Sequence, residues 1–368
     1  MNIKEKKSFD VLVIGGGAAG MMAAITAASN GADTVILEHK DRVGKKILST
    51  GNGKCNYTNE KQGVSYYRGD NPAFVVPVME QFGFAQTIEF FQRLGIYPKN
   101  KNGYYYPASE QAASVLDVLR MELSYRRVSV VTECEVTTVE EKKNGFVLET
   151  GKGRFFAKKI IFATGLLAAP KTGSDGSAIP LIKAFGHRFS DVVPALVALQ
   201  CKENYFKQLA GIRTEASVTL DIDGRKQISD RGELQLTDYG ISGIPVFQVS
   251  RFATKALKQK QKITATIDFL PSLSGQEAAQ LLTERFHENA HGKSAGEAMI
   301  GLLNHKLSNV LLKESGIQPD KSADEIAQEK LARFVKQCKQ FMVFCHRKQV
   351  FCTGTGLCRR RTYRRNQS

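Results

Sequence analysis

The sequence lacks tryptophan, has no Cys-x-x-Cys pair and contains no apolar run of membrane-spanning length. A membrane helix needs roughly 18 consecutive apolar residues, and disulfide frameworks and zinc sites show closely spaced cysteines. The seven cysteines are scattered over 368 residues, so we expect free thiols and no metal site. The start, MNIKEKKSFDVLVIGGG, passes from charged residues into an apolar strand without a cleavable leader. We therefore expect a cytoplasmic protein with no membrane partner.

Residues 344–368 contain seven Arg and Lys residues and no acidic residue. This segment therefore supplies +7 of the net charge of +16. A basic field attracts anionic polymers without a dedicated site. Because so much of the excess lies in this one segment, the rest of the chain is only moderately basic. We expect a small-molecule substrate and no nucleic-acid partner. A binding protein whose basic tail contacts anionic polymers is the alternative.

A strand, a glycine turn and a helix open the chain. Phe9–Ile14 is apolar, Gly15–Gly20 reads GGGAAG, and Met21–Ser29 is rich in Ala and Met, which favour helix. A second apolar strand, Thr34–Leu37, ends at the acid Glu38. This order predicts a βαβ unit with a dinucleotide site, and an acid at Glu38 suits a ribose hydroxyl and disfavours the 2′-phosphate of NADP.

Each residue of the turn has a physical role in that prediction. Gly15 permits the tight turn, Gly17 lets a pyrophosphate approach the backbone, and Gly20 permits close helix packing. Ala18 and Ala19 lie at the helix N-terminus, whose free N–H groups and positive dipole end attract phosphate. A glycine turn with a purely structural role is the alternative.

The loop from Val43 to Asn59 combines glycines, amides and lysines. Glycines allow close backbone approach, amides can pair with the polar edge of an isoalloxazine ring, and lysines can meet phosphate. These properties favour FAD over NAD, although a solvated basic loop has the same composition. The predicted cofactor-binding residues here are Lys45, Lys46, Thr50, Gly51, Asn52, Gly53 and Asn56.

The apolar run from Ile160 ends in the small residues Ala163, Thr164 and Gly165. Ligands in open α/β sheets bind at the carboxyl ends of strands, where small side chains allow close approach. We predict that these three residues contact the cofactor. A buried strand followed by a turn is the alternative.

These motifs together resemble the BaiN/RdsA family of FAD-dependent oxidoreductases, the aminoacetone-oxidase-like flavoproteins. The family signature GKKxLxTGNGRCNxTN matches Gly44–Asn59, with Lys54 in place of the usual Arg. Further matches are Pro170–Gly176 and Gly232–Gly243, and the resemblance covers residues 8–343.

The resemblance implies an α/β fold: a glutathione-reductase-like Rossmann FAD-binding domain with an inserted β-barrel domain and a small helical subdomain. It implies that Val136 contacts the adenine side through its backbone. It also implies NAD(P)H as electron donor, and either reduction of a keto-steroid or bile-acid-like substrate or oxidation of an amine.

Pattern shifts divide the chain into four segments. We predict an FAD-binding domain over 1–188, a β-rich inserted domain over 189–270, a helical subdomain and return over 271–335, and an aberrant basic tail over 336–368. Within the inserted domain, residues 195–269 are expected to be strands broken by turns.

The tail departs from the family pattern. Family members complete the FAD domain with a glycine-rich closing strand and helix, which the sequence after Val343 does not match. Shifting the reading frame by one nucleotide there permits a continuation that resembles the family's own, so our hypothesis is a frameshift and a C-terminally truncated domain. A divergent basic tail is the alternative. An inactive flavoprotein remnant is therefore the competing functional interpretation.

No catalytic acid or base can be assigned from the sequence. Cys55 has no neighbouring cysteine, so we interpret it as a packed side chain and not a redox thiol. Tyr104, Tyr105 and Tyr106 suit either a substrate cleft or a core contact. The oligomeric state is not predicted.

Overall fold

The computed structural model describes residues 7–67, 69 and 71–348, and the chain divides into two compact units with a boundary after Ser190. Within these described ranges, no helix is both long and apolar enough to cross a membrane.

The first unit is a mixed α/β structure. Its strands are β1 (Ser8–Ile14), β2 (Thr34–Leu37), β3 (Thr58–Asn59), β4 (Pro98–Lys101), β5 (Tyr104–Pro107), β6 (Ser129–Val131), β7 (Val136–Lys142), β8 (Gly145–Thr150) and β9 (Gly153–Phe162). Its α-helices are α1 (Ala18–Ser29), α2 (Val76–Gln81), α3 (Phe84–Arg93), α4 (Ala112–Tyr125) and α5 (Ile179–Ala184). The predicted order of strand, glycine turn, helix and strand at the start of the chain is confirmed.

The main sheet has the strand order β6-β2-β1-β9-β8-β7. Strands β6, β2, β1 and β9 run parallel, and β8 pairs with both β9 and β7 in antiparallel fashion. The register pairs Ile14 with Leu37 on one side and with Phe162 on the other. The carboxyl ends of the three central strands therefore share one edge, where ligands of open α/β sheets bind.

Both faces of this sheet are covered, as parallel strands require. On one face, Val13 and Ile36 belong to a core that includes Met21 of α1 and Leu116 of α4. On the other face, residues of β1 and β2 pack with Leu148 of β8. Strand β2 is buried at every position, which explains why its sequence is a continuous apolar run.

A small sheet of order β3-β5-β4 lies in the same unit. Helices α2 and α3 follow one another and are interrupted at Gly83. Gly83 is the N-cap of α3, and a Cβ at this position would stand 2.6 Å from the backbone oxygen of Met79.

The second unit contains a closed barrel of order β10-β13-β12-β11-β14-β15. Its strands are β10 (Leu199–Cys201), β11 (Arg213–Ile222), β12 (Arg225–Thr237), β13 (Gly240–Gly243), β14 (Ile263–Asp268) and β15 (Phe341–Lys348), and its helices are α6 (Phe206–Leu209), α7 (Ile244–Lys258), α8 (Gly275–Thr283), α9 (His305–Glu314) and α10 (Gln328–Lys339). Helices α8–α10 lie between β14 and β15 in sequence and share one core with the barrel. The predicted fold class, a Rossmann domain with a barrel and a helical subdomain, is confirmed.

Helix α7 was not expected, because residues 195–269 were predicted to be strands broken by turns. The helix begins after Gly243 and has Pro245 in its first turn, where proline is tolerated. Its buried face includes Val246, Val249 and Ala253. The spacing of these residues is helical. The strand-like alternation and glycine turns on either side nevertheless led to a prediction of strands for the whole segment.

The segment predicted to be an aberrant tail from residue 336 begins with regular structure. It contains the end of α10 and strand β15, which pairs with β10 and β14 and closes the barrel. Phe341, Val343 and Cys345 are buried, whereas Met342 and Phe344 are exposed, so burial alternates across the position where the family pattern was expected to end. Residues 349–368 lie outside the described residues.

Candidate FAD site

A cavity of about 450 Å³ opens at the carboxyl ends of β1, β2 and β9. Its lining comes from the glycine turn, the end of β2, the loop after β2, the start of β7 and the end of β9. The predicted cofactor residues that line it are Gly15, Gly17, Ala18, Ala19, Glu38, Lys45, Lys46, Thr50, Val136, Ala163, Thr164 and Gly165. The structure thus brings together residues that are widely separated in the sequence.

The glycine turn has the geometry that its sequence predicts. Gly15 has φ of +100°, a conformation that L side chains rarely adopt. A Cβ on Gly20 would stand 1.9 Å from the backbone oxygen of Gly15, so Gly20 serves packing and does not line the cavity. A Cβ on Gly17 would meet nothing within 4 Å. Gly17 therefore leaves open space beside the first turn of α1.

Glu38 is buried, and both of its carboxylate oxygens accept backbone hydrogen bonds. Gly16 N donates to Oε2 at 2.7 Å and Lys40 N donates to Oε1 at 2.8 Å. Each carboxylate oxygen has a second lone pair, so the group can still accept hydrogen bonds from ribose hydroxyls. Glu38 consequently holds the glycine turn against the end of β2 and faces the cavity at the same time.

Replacing Glu38 by Gln is expected to lower stability even without cofactor. The amide has one acceptor oxygen where the carboxylate has two, so one of the two backbone N–H groups loses its partner. An unsatisfied buried donor costs about 1–3 kcal/mol. Urea unfolding of the FAD-free protein measures this loss, with the exposed Glu141→Gln as control. Equal unfolding free energies for the two variants would contradict the role given to Glu38.

Lys46 presents a cation to the cavity. Its Nζ donates to Ser174 Oγ at 2.5 Å, and burial lowers the pKa of this ammonium. Within the described part of the chain, no carboxylate lies within ion-pair distance of Lys46. Lys45 differs, because its ammonium pairs with Asp41. Of the two predicted lysines, only Lys46 therefore offers an uncompensated charge to an anionic ligand.

Two other predicted contacts occupy the cavity wall. Val136 begins β7 and lines the cavity beside Glu135. Gly165 has φ of +69°, and a Cβ there would stand 2.3 Å from Ser174 Oγ. Gly165 is therefore needed for the approach of the segment that carries Ser174.

The remaining predicted residues, Gly51, Asn52, Gly53 and Asn56, do not line this cavity. Gly51, Asn52 and Gly53 have φ of +54°, +55° and +82°, and they form a turn in which Lys54 N donates to Gly51 O at 3.2 Å. Their contact with a flavin ring stays a prediction. Cys55, next in the chain, is buried, and burial raises the pKa of its thiol, as suits a packed side chain.

Sequence analysis missed His39 and the segment around Asp175, which both line the cavity. The His39 ring lies between two carboxylates, with Nδ1 3.7 Å from Glu38 Oε1 and Nε2 3.6 Å from Asp175 Oδ2. Burial acts to raise the pKa of the Asp175 carboxyl, but hydrogen bonds from Ser177 outweigh it and hold that pKa below its ordinary value. The sequence signal that could have identified the segment around Asp175 was the family match at Pro170–Gly176, to which no role was assigned.

This donor set fits FAD. The open space at Gly17 and the helix N-terminus suit a pyrophosphate, and the half-buried Lys46 ammonium has no carboxylate partner among the described residues, so a phosphate could pair with it. Glu38 has free acceptor capacity for a ribose.

Comparison with known proteins agrees with this geometry. A family profile described as the HI0933-like protein Rossmann domain matches residues 9–261, and one described as the HI0933-like protein barrel and H2TH domain matches residues 193–353. A 3-dehydro-bile acid delta(4,6)-reductase from Clostridium scindens is 40% identical over 90% of this chain and 81% of its own length.

Ribosomal RNA dihydrouridine synthases are more distant relatives. The protein from Haemophilus influenzae is 25% identical over 88% of this chain and 79% of its own length. The protein from Escherichia coli is 26% identical over 66% of this chain and 61% of its own length.

Proposed function

Since this chain belongs to the HI0933-like (BaiN-like) family of FAD-dependent oxidoreductases, we propose that it reduces a carbon–carbon double bond conjugated to a carbonyl in a small apolar molecule. The observation that carries this proposal is the 40% identity to a bile-acid reductase across both units. NAD(P)H is the proposed electron source.

The named reactions of the relatives share one chemical step. A 3-dehydro bile acid with double bonds at positions 4 and 6 is a conjugated dienone. Dihydrouridine is uridine whose ring double bond, conjugated to a carbonyl, has been reduced. The common substrate group is therefore an α,β-unsaturated carbonyl. The higher identity to the bile-acid reductase favours a steroid-like acid over a nucleic acid as substrate of this chain.

The chain's own residues bind and orient the cofactor. Glu38 would accept hydrogen bonds from the adenosine ribose, Lys46 would face the pyrophosphate, and the N-terminus of α1 would direct its free N–H groups to the same phosphates. When bound, FAD supplies the two-electron chemistry. Ile14, Leu37 and Phe162 contribute apolar residues to the lining of the cavity.

The experiment is an anaerobic titration of the FAD-loaded protein. NADH or NADPH should bleach the visible flavin bands, and a 3-oxo steroid acid with double bonds at positions 4 and 6 should restore them. The saturated 3-oxo acid is the matched control and should leave the flavin reduced. Bleaching by an amine without NAD(P)H, or no reoxidation by the dienone, would contradict the proposal.

A further inference from the structure

Three lysines of the first unit converge on one carboxylate outside the FAD cavity. Lys54 Nζ lies 2.9 Å from Glu110 Oε2, Lys99 Nζ lies 2.7 Å from Oε1, and Lys101 pairs with the same Oε1. Hydrogen bonds from these lysines, that of Lys101 first, hold the pKa of the Glu110 carboxyl far below its usual range. Three cations and one anion leave two positive charges in this lysine cluster.

No second acid neutralises that excess. Across the described residues, Glu110 is the only carboxylate within ion-pair distance of Lys54, Lys99 or Lys101. An ammonium group has three N–H donors, so each lysine that bonds to Glu110 retains donors for another acceptor. The three side chains are roughly two-fifths exposed, which leaves them accessible to a ligand.

Aromatic rings lie on the same face of the β4–β5 hairpin. The register pairs Lys99 with Tyr106 and Lys101 with Tyr104, and residues directly opposite each other in an antiparallel pair point to the same side. Tyr104 is half exposed, and Lys101 Nζ lies 5.9 Å from the centre of the Tyr106 ring. Cationic groups and ring surfaces therefore alternate on one exposed face.

The opposite face of this hairpin has a different role. Tyr105 packs against Phe84 with ring centres 4.9 Å apart, and its hydroxyl accepts a hydrogen bond from Asn100 at 3.0 Å. Glu60 also lies on this side, where its Oε2 accepts a hydrogen bond from Asn100 Nδ2 at 3.3 Å. The tyrosine run thus separates into one ring that packs against Phe84 and two that lie on the lysine face, where Tyr104 is half exposed.

The cationic face adjoins the turn whose glycines and amides predict contact with the flavin. A Cβ on Gly51 would stand 3.4 Å from Cε1 of Tyr106, so this ring packs directly on that turn. Lys54 belongs to the same turn through the hydrogen bond from its N–H to Gly51 O. A molecule lying on Tyr106 would consequently reach both the lysine cluster and the predicted flavin position.

We propose that this face binds the acidic end of the substrate, with the lysine cluster taking a carboxylate and the rings of Tyr104 and Tyr106 taking the adjoining apolar body. This inference rests on the proposed function, since it assigns the substrate class as an apolar molecule that carries a carboxylate. It also gives Lys99 and Lys101 a role in specificity and none in the chemical step.

Calorimetric binding to the FAD-loaded protein tests the inference without turnover. The two probes are a saturated 3-oxo steroid carboxylic acid and its neutral carboxamide. Exposed ion pairs are individually weak, so we expect the acid to bind about tenfold more tightly than the amide, which corresponds to about 1.4 kcal/mol. High salt should remove most of the difference, because exposed charges are screened.

The double variant Lys99→Gln and Lys101→Gln should bring the acid to the affinity of the amide and leave the amide unchanged. Lys142→Gln with Lys158→Gln is the matched control, since each of these exposed lysines also pairs with one acid, at 2.8 Å. The flavin absorbance per protein checks that every variant is folded. The variant Lys101→Glu reverses the charge at this position. We therefore expect a steroid amine to bind more tightly to this variant than to the parent protein.

Each result decides the matter. Tighter binding of the acid that is lost in the lysine variant supports the inference. Equal binding of acid and amide by the parent overturns the inference and leaves the proposed reduction intact. Binding of neither steroid overturns the proposed substrate class together with the inference.

Discussion

Gly20→Ala is expected to prevent stable folding of the first unit. The added Cβ would stand 1.9 Å from the backbone oxygen of Gly15 and 3.3 Å from the Cβ of Ala163. The backbone oxygen cannot rotate away as a side chain can, and Gly15 is itself held by the hydrogen bond from its N–H to Leu37 O at 2.8 Å. Overpacking of this kind costs about 3 kcal/mol or more. Urea unfolding followed by circular dichroism measures the loss.

Gly17→Ala is the matched control for that substitution. It makes the same chemical change three residues away, where a Cβ meets nothing within 4 Å and the backbone conformation is open to any residue. Gly17 is the N-cap of α1, where alanine is less favourable than glycine, so we expect the unfolding free energy of this variant to fall by about 1 kcal/mol at most. Its FAD affinity should fall, because the methyl group occupies the space left for the pyrophosphate. Equal stability of Gly20→Ala and Gly17→Ala would refute the packing role of Gly20.

Lys46→Met is expected to weaken FAD binding and to stabilise the FAD-free protein. A charged hydrogen bond is worth about 1.5–3 kcal/mol, so the FAD dissociation constant should rise roughly ten- to hundredfold. The FAD-free protein loses a desolvated charge that no described carboxylate compensates, and methionine fills similar space. Binding functions commonly carry such a cost in stability.

Lys45→Met is the control, because Asp41 already pairs with the ammonium of Lys45. We expect a smaller change in FAD affinity for this variant. Fluorescence titration with FAD and urea unfolding together separate the two effects. If Lys45→Met loses as much FAD affinity as Lys46→Met, the assignment of the phosphate charge to Lys46 is wrong.

The gain in unfolding free energy that we expect from Lys46→Met in the FAD-free protein should depend on pH. Burial lowers the pKa of Lys46 from its ordinary 10.5, so the folded state binds this proton less tightly than the unfolded state does. The charged side chain therefore costs stability at all pH values below its folded pKa, and the cost disappears as pH rises from that value towards 10.5. The difference in unfolding free energy between variant and parent should shrink over the same window.

Several features of the fold follow from local sequence. The continuous apolar runs of β1 and β2, the Ala-rich α1 and the glycines between them each satisfy a short-range backbone requirement. Strand β15 was missed because its partners are distant in sequence: it pairs with β10 and β14 only after the helices between them have folded back.

The sequence by itself determined the dinucleotide turn, the acid at the end of β2 and the family. The turn and the acid lie within one βαβ unit, where spacing alone sets geometry, and the family is indicated by short motifs that can be read without knowing how they meet in space. Only the tertiary structure decided that Lys46, and not Lys45, offers a free charge, because its partner Ser174 is 128 positions away. It also decided that Lys54, Lys99, Lys101 and Glu110 form one cluster, since a loop and a hairpin must meet before their charges act together.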